Sequence, residues 1–326
     1  MSDVGSQISG GNSAAQDSRA TEPQEIRQPA DDFDFRAMHA NIGSLLSKQI
    51  FFLGGSAKSG TTWLQVLLDA HPQVSCSGEN HFVNLLSPGL KKALEEYNRI
   101  ILDPRGNTAY QLGKEPEIFG ADGFRYVVVT AMLTILLAQA KGKPVLALGD
   151  KTTHNVRAFG ALSTWLPGSK CIHIVRDPRD SAVSGWHHIN RIFPQDARER
   201  FPGIYDYVKH YADVWSWEVG RGVEVGSEKP DRYLEVRYEE LVRRPVPILR
   251  GAFRFLGVDD DEPIARQCVE AAAFEKLSRG RKPGEEDTRS FFRKGVVGDW
   301  ENHLDTMSRD YILAKCGDLM KRFGYL

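Results

Sequence analysis

The stretch from Ile50 to Ala70 constrains this chain more than any other. Ile50-Phe51-Phe52-Leu53 is a short continuous apolar run that stops at Gly54-Gly55, the pattern of a strand buried on both faces of a parallel sheet. Beyond it, apolar residues fall at Trp63, Leu64, Val66, Leu67 and Leu68, and His71-Pro72 follows. That is a helical stripe with a stop signal. Between the two lies Gly54-Gly55-Ser56-Ala57-Lys58-Ser59-Gly60. The backbone N–H groups of such a turn, with the positive end of the helix behind it, form an anion site. Strand, glycine-rich turn and helix together open a nucleotide-binding α/β fold.

The rest of the chain extends this unit. Apolar runs at 145–148, 171–175 and 233–236 predict further strands, each ending in polar residues. Helices are predicted over 84–100, 124–140, 155–165, 178–191 and 203–221. Their alternation predicts one α/β domain over 36–326, with a central parallel sheet flanked by helices, of the P-loop nucleotide-binding type. Ligands of such sheets sit at the carboxyl ends of the strands. Residues 1–35, rich in Ser, Gly, Gln, Asp and Glu, read as a disordered tail and carry no apolar signal-peptide core. The segment 278–294 reads as a long mobile loop. Tyr126 to Ala140, interrupted by Thr130 and Thr134, reads as a buried helix too short to cross a bilayer.

Charge and cysteine usage exclude several functions. Lys and Arg number 42 against 43 Asp and Glu, a net charge of −1. No global basic field is available for nucleic acid or an anionic membrane, so any anion must be held by a few placed groups. Cys76, Cys171, Cys268 and Cys316 are widely separated. They offer neither zinc spacing nor a disulfide framework, which suits free thiols in a reducing cytoplasm. His187 and His188 are adjacent, and neighbours on a helix point about 100° apart, which makes poor co-ligands. No metal site is expected.

Gly55 and Gly60 have the glycine spacing of a Walker A loop, but Thr61 stands where the Walker lysine belongs. The lysine is inside the loop, at Lys58. A kinase would need the lysine after Gly60 and a hydroxyl and carboxylate for Mg²⁺. The displaced cation suits a ligand whose leaving group needs direct contact. Lys58-Ser59-Gly60-Thr61-Thr62-Trp63 resembles the 5′-phosphosulfate loop of the sulfotransferases. Arg176-Asp177-Pro178-Arg179-Asp180-Ser181-Ala182-Val183-Ser184 resembles their 3′-phosphate segment, in which an Arg and a Ser grip the phosphate. Arg293-Lys294-Gly295-Val296-Val297-Gly298-Asp299-Trp300 resembles the C-terminal segment of the cytosolic members, where the basic pair and the Gly295 backbone would close over the same phosphate.

The resemblance implies a cytoplasmic enzyme that takes 3′-phosphoadenosine 5′-phosphosulfate (PAPS) as co-substrate without a metal. It would transfer the sulfuryl group to a hydroxyl or amine of a small molecule or glycan. Trp63, Tyr238 and Phe274 take the positions of the adenine-facing aromatics, and Ala272 stands where relatives carry Thr or Ser. Lys58 would contact the leaving phosphate. Three residues compete for the base. Glu79, in Ser77-Gly78-Glu79-Asn80-His81, resembles the glutamate of bacterial and carbohydrate members. His154, in Lys151-Thr152-Thr153-His154, resembles the histidine of cytosolic members, and His81 lies close to Glu79. Lys151 resembles a second cation near the sulfate. Glu301, Asp305, Thr306 and Asp310 occupy the family's dimerisation segment with the first charge reversed, so that dimer mode does not carry over. A P-loop kinase and a silent nucleotide-binding protein are the competing readings.

Overall fold

The computed structural model describes residues 33–140 and 142–326, so residues 1–32 of the tail expected over 1–35 lie outside the described residues, and Phe35 already opens a helix, Phe35–Ser44. Ala40–Leu326 form one compact unit. Five parallel strands run through it: β1 (Gln49–Gly54), β2 (Val74–Ser77), β3 (Ala147–Lys151), β4 (Lys170–Val175) and β5 (Tyr233–Arg237). Their order is β2-β3-β1-β4-β5. The chain therefore leaves central β1 in both directions, and the crevice at its carboxyl end is the place where such sheets bind ligands.

Alternation along the strands sends side chains to two cores. Phe51, Leu53, Cys76, Ile172, Ile174 and Val236 pack with Leu64, Leu67 and Leu68 of helix Thr61–Asp69, the one that follows the glycine turn, and with helices Pro245–Leu256 and Glu262–Ala271. On the other face Ile50, Phe52, Leu148 and Cys171 meet Val128, Met132 and Leu136 of helix Ala121–Ala140 and Phe159 and Leu162 of helix Phe159–Trp165. A third cluster joins helix Pro178–Ile192 to helices Ile204–Glu228 and Thr306–Arg322 around Trp215. Both faces of β1, β3 and β4 are covered, which is why these strands read as apolar runs.

Three expectations need correction. The third strand begins at Ala147 and runs on through Gly149-Asp150-Lys151. Hydrophobicity stops before the strand does, because Asp150 is buried with its carboxylate satisfied by Asn80, Thr152 and Asn155. Helix Ile204–Glu228 passes through Gly222 and Gly226 instead of ending near them. A Cβ at Gly222 would lie 2.4 Å from the His173 ring, and one at Gly226 would lie 2.6 Å from Tyr233. These glycines admit close packing and do not break the helix. Helix Ala121–Ala140 is 20 residues long with mean hydropathy 1.5, so by length and composition it is long and apolar enough to cross a membrane. Only one stripe of it, Val128, Met132, Leu133 and Leu136, is buried.

Candidate active site

The glycine turn is fixed by its close approach to the next strand. A Cβ on Gly55 would sit 2.4 Å from the Ile174 carbonyl oxygen, and Gly60 caps helix Thr61–Asp69 with φ +96°. Lys58 lies between them in the left-handed region, at φ +67°, which costs a non-glycine residue about 1 kcal/mol or more. Its ammonium rests 4.3 Å from the centre of the Phe291 ring. Burial first, and then the charges of Arg191, Arg176 and Lys151, lower its pKa to about 8. Every charge that acts strongly on it is positive, so the group is electrostatically primed for an anion.

The carboxyl ends of the other strands converge on this loop. After β2 comes Glu79, whose Oε1 accepts from Lys151 Nζ at 2.8 Å and from Thr153 Oγ1 at 3.1 Å. Lys151 also donates to Thr62 Oγ1 at 3.3 Å, and Thr153 lies 3.4 Å from Thr61. Burial works to raise the Glu79 carboxyl, but the Lys151 hydrogen bond and charge, with Thr153 and His81 behind them, outweigh it and hold Glu79 below its ordinary value. Oε2 lies 3.6 Å from His81 Nε2. Asp150 sets this arrangement by accepting from both nitrogens of Asn80 on one side and from Thr152 and Asn155 on the other.

His154 belongs to a different network. Its Nδ1 lies 2.9 Å from Glu218 Oε1, on helix Ile204–Glu228. The structure thus brings Glu79, His81, Lys151, Thr61 and Thr62 together and hydrogen-bonds His154, next to Thr153, to Glu218.

At the end of β4 the Arg176 guanidinium is nearly buried. It donates to the carbonyls of Lys58 and Val296, both at 3.3 Å, and its centre lies 4.3 Å from the Tyr238 ring. Tyr238 meets Trp63 edge-on at 5.8 Å, and Trp63 donates to the Ala272 carbonyl at 3.1 Å. Ser184, His188, Arg191, Phe291 and Arg293 line a narrow pocket with Lys58. Arg293 and Lys294 both pair with Asp299, the latter at 2.6 Å, and Arg293 also pairs with Glu286. Asp180 latches this C-terminal segment by accepting from the Gly298 and Trp300 amides at 2.7 and 3.0 Å. Gly295, at φ +67°, lies against Phe274, where a Cβ would come within 2.6 Å of the ring. The loop 278–294 is irregular but braced, since Arg281 donates to the carbonyls of Glu285, Phe292 and Arg293. His187 packs on His303 and His188 on Phe291.

Ser59 Oγ, Arg176 Nε and Arg293 Nε are buried without a hydrogen-bond partner among the described residues. Buried polar atoms are normally paired. These are donors around a cationic loop, a set that fits phosphate and sulfate oxygens. Sequence reasoning missed Tyr211, Trp215, Glu218 and Arg191. The first three form the wall behind the loop, and the spacing of 211, 215 and 218 on one helical face was the available signal. Arg191, one turn beyond His187, carried none.

The match to known proteins agrees with this geometry. Residues 50–262, well over half of the chain, match the model of the sulfotransferase family. The chain belongs to that family. It is 25% identical over 294 residues to a flavonol sulfotransferase-like protein of Flaveria bidentis, covering 83% of each. It is 28% identical over 164 residues to cytosolic sulfotransferase 16 of Arabidopsis thaliana, covering 42% of this chain and about half, 46%, of that relative. A mouse sulfotransferase complexed with PAP has the same fold, with TM-score 0.51 and 20% identity over 85% of this chain and 89% of its own.

Proposed function

We propose that this chain is a PAPS-dependent sulfotransferase acting on a hydroxyl of a small-molecule acceptor. The observation that carries the reading is Lys58, a half-buried cation in the left-handed region at the turn of the loop, surrounded by further cations. Such a group is useful only against a developing negative charge. Arg176, Ser184 and Arg293, with the unpaired donors on Arg176 and Arg293, fit a second phosphate at the 3′ position. Trp63, Tyr238 and Phe274 offer ring faces and edges for the adenine. Lys294 and Gly295 would close the same end.

PAPS supplies an activated sulfuryl group on a phosphate leaving group. Lys58 holds its charge beside the position of that leaving oxygen, while the Gly60, Thr61 and Thr62 amides at the helix start add N–H donors. Lys151 fixes one oxygen of Glu79 and leaves Oε2 to accept the proton of an acceptor hydroxyl, with His81 at 3.6 Å behind it. Glu79 is the base in this reading on that ground, and His154, whose Nδ1 Glu218 holds, presents Nε2 as the competing acceptor. The small-molecule reading is supported by the flavonol sulfotransferase-like relative, and the PAPS reading by the mouse complex with PAP, the nucleotide that PAPS leaves once its sulfuryl group is transferred. Relatives named as cytosolic support a cytoplasmic placement. Labelled PAPS offered with a panel of phenols, steroids and sugars tests the reading. Transfer in the presence of EDTA is expected, and transfer of phosphate from ATP instead would overturn it.

A further inference from the structure

Behind the phosphate loop lies a carboxylate that the proposed chemistry does not use. Glu218 is fully buried in helix Ile204–Glu228. Its Oε2 accepts from Ser56 Oγ at 2.7 Å, and its Oε1 accepts from His154 Nδ1 at 2.9 Å and Arg157 Nε at 2.6 Å. A buried carboxylate is costly unless paired and hydrogen-bonded, and here both oxygens are engaged. The pairing overcomes the burial that would otherwise raise its pKa, and holds it below the ordinary carboxylate value. Two neighbours on the same helical face act on the same strand ends. Tyr211 donates to the Ala57 carbonyl at 2.5 Å, and Trp215 donates to the Arg176 carbonyl at 3.1 Å.

Ser56 and Ala57 immediately precede Lys58, the residue held in the left-handed region. Such a conformation persists only where its surroundings over-determine it. Helix Ile204–Glu228 supplies that constraint, and its charged element is Glu218. We propose that Glu218 is a positioning residue for the sulfate-donor site. It pins Ser56, and through Ser56 the turn that aims Lys58, while His154 serves as a donor to this carboxylate. The inference rests on the sulfotransferase reading above.

The test is a double-mutant cycle read by titration calorimetry with PAP and by steady-state rates. Glu218→Gln and Ser56→Ala are each expected to weaken PAP about 10-fold and to lower kcat, while the acceptor KM stays within about 2-fold. The double variant is expected to bind PAP no more weakly than either single one, since both changes cut the same link. Unchanged PAP affinity in a folded Glu218→Gln protein, or additive losses in the double variant, overturns the proposal. If Glu218→Gln does not fold, Ser56→Ala alone decides: it removes one hydroxyl, and wild-type PAP affinity in it refutes the role. Wild-type binding is measured in the same series. Its absence would instead refute the donor assignment itself.

Discussion

Lys58→Met separates the two things that the structure says of this lysine. Methionine keeps most of the side-chain volume and the contact with Phe291 but removes the charge. The gap between 10.5 and about 8 in the Lys58 pKa corresponds to about 3 kcal/mol of penalty on its charged form in the ligand-free protein. Removing the charge should therefore stabilise that protein at pH 7 by up to about 3 kcal/mol, roughly 5 °C in Tm. The same change should lower kcat by about 10²–10³-fold, the usual cost of losing one group that stabilises transition-state charge. The sign of the pH dependence follows from linkage. From pH 8 to 10.5 the unfolded chain keeps a proton on this lysine that the folded chain has released. Wild-type stability then rises with pH across that window, and its deficit relative to Lys58→Met closes. Over the same range kcat/KM for PAPS should fall about tenfold per pH unit above 8, as the free enzyme loses the cation. Differential scanning fluorimetry at pH 7 and pH 10, alongside rates, checks all of this. A Lys58→Met protein no more stable than wild type at pH 7 refutes the electrostatic reasoning; near-normal turnover refutes the catalytic role.

Other outcomes follow from the same geometry. Glu79→Gln keeps the hydrogen bond to Lys151 but cannot take a proton. Turnover should fall by about 10²-fold or more with little change in PAP affinity, the size expected of a general base. Arg176→Lys loses the planar fork over Tyr238 and should weaken PAP about tenfold or more in calorimetry. Gly55→Ala would place a methyl 2.4 Å from the Ile174 carbonyl. It should cost about 1–3 kcal/mol of stability in urea unfolding and abolish donor binding. EDTA should leave the transfer rate unchanged, and a chelator-sensitive rate would return the reading to metal-assisted phosphoryl transfer.

The fold was legible wherever apolar residues declare burial. β1 and β4 were placed from the runs Ile50–Leu53 and Cys171–Val175 because a doubly covered strand must be apolar throughout, and edge strand β5 from the run Tyr233–Val236. Gly149-Asp150-Lys151 was not legible as strand. Its burial depends on a carboxylate satisfied by Asn80, Thr152 and Asn155, partners that only folding brings together. The extent of helix Ile204–Glu228 beyond the expected 203–221 was hidden for a similar reason, since the packing of Gly222 on His173 and of Gly226 on Tyr233 exists only in the fold.

The same division runs through the site. By itself the sequence determined the glycine-rich turn after β1, its displaced Lys58, and the chain positions of Arg176, Ser184 and Arg293 as candidates for phosphate contact. Those are local patterns of residue type and spacing, and local patterns survive in one dimension. It left Glu79, His81 and His154 in competition, because each follows a strand and each has suitable chemistry. Only the tertiary structure set Glu79 on Lys151 and turned His154 to Glu218, and only it placed Ser56 on that same carboxylate. Hydrogen-bond partners distant in sequence decide where a side chain points, and no spacing rule records them.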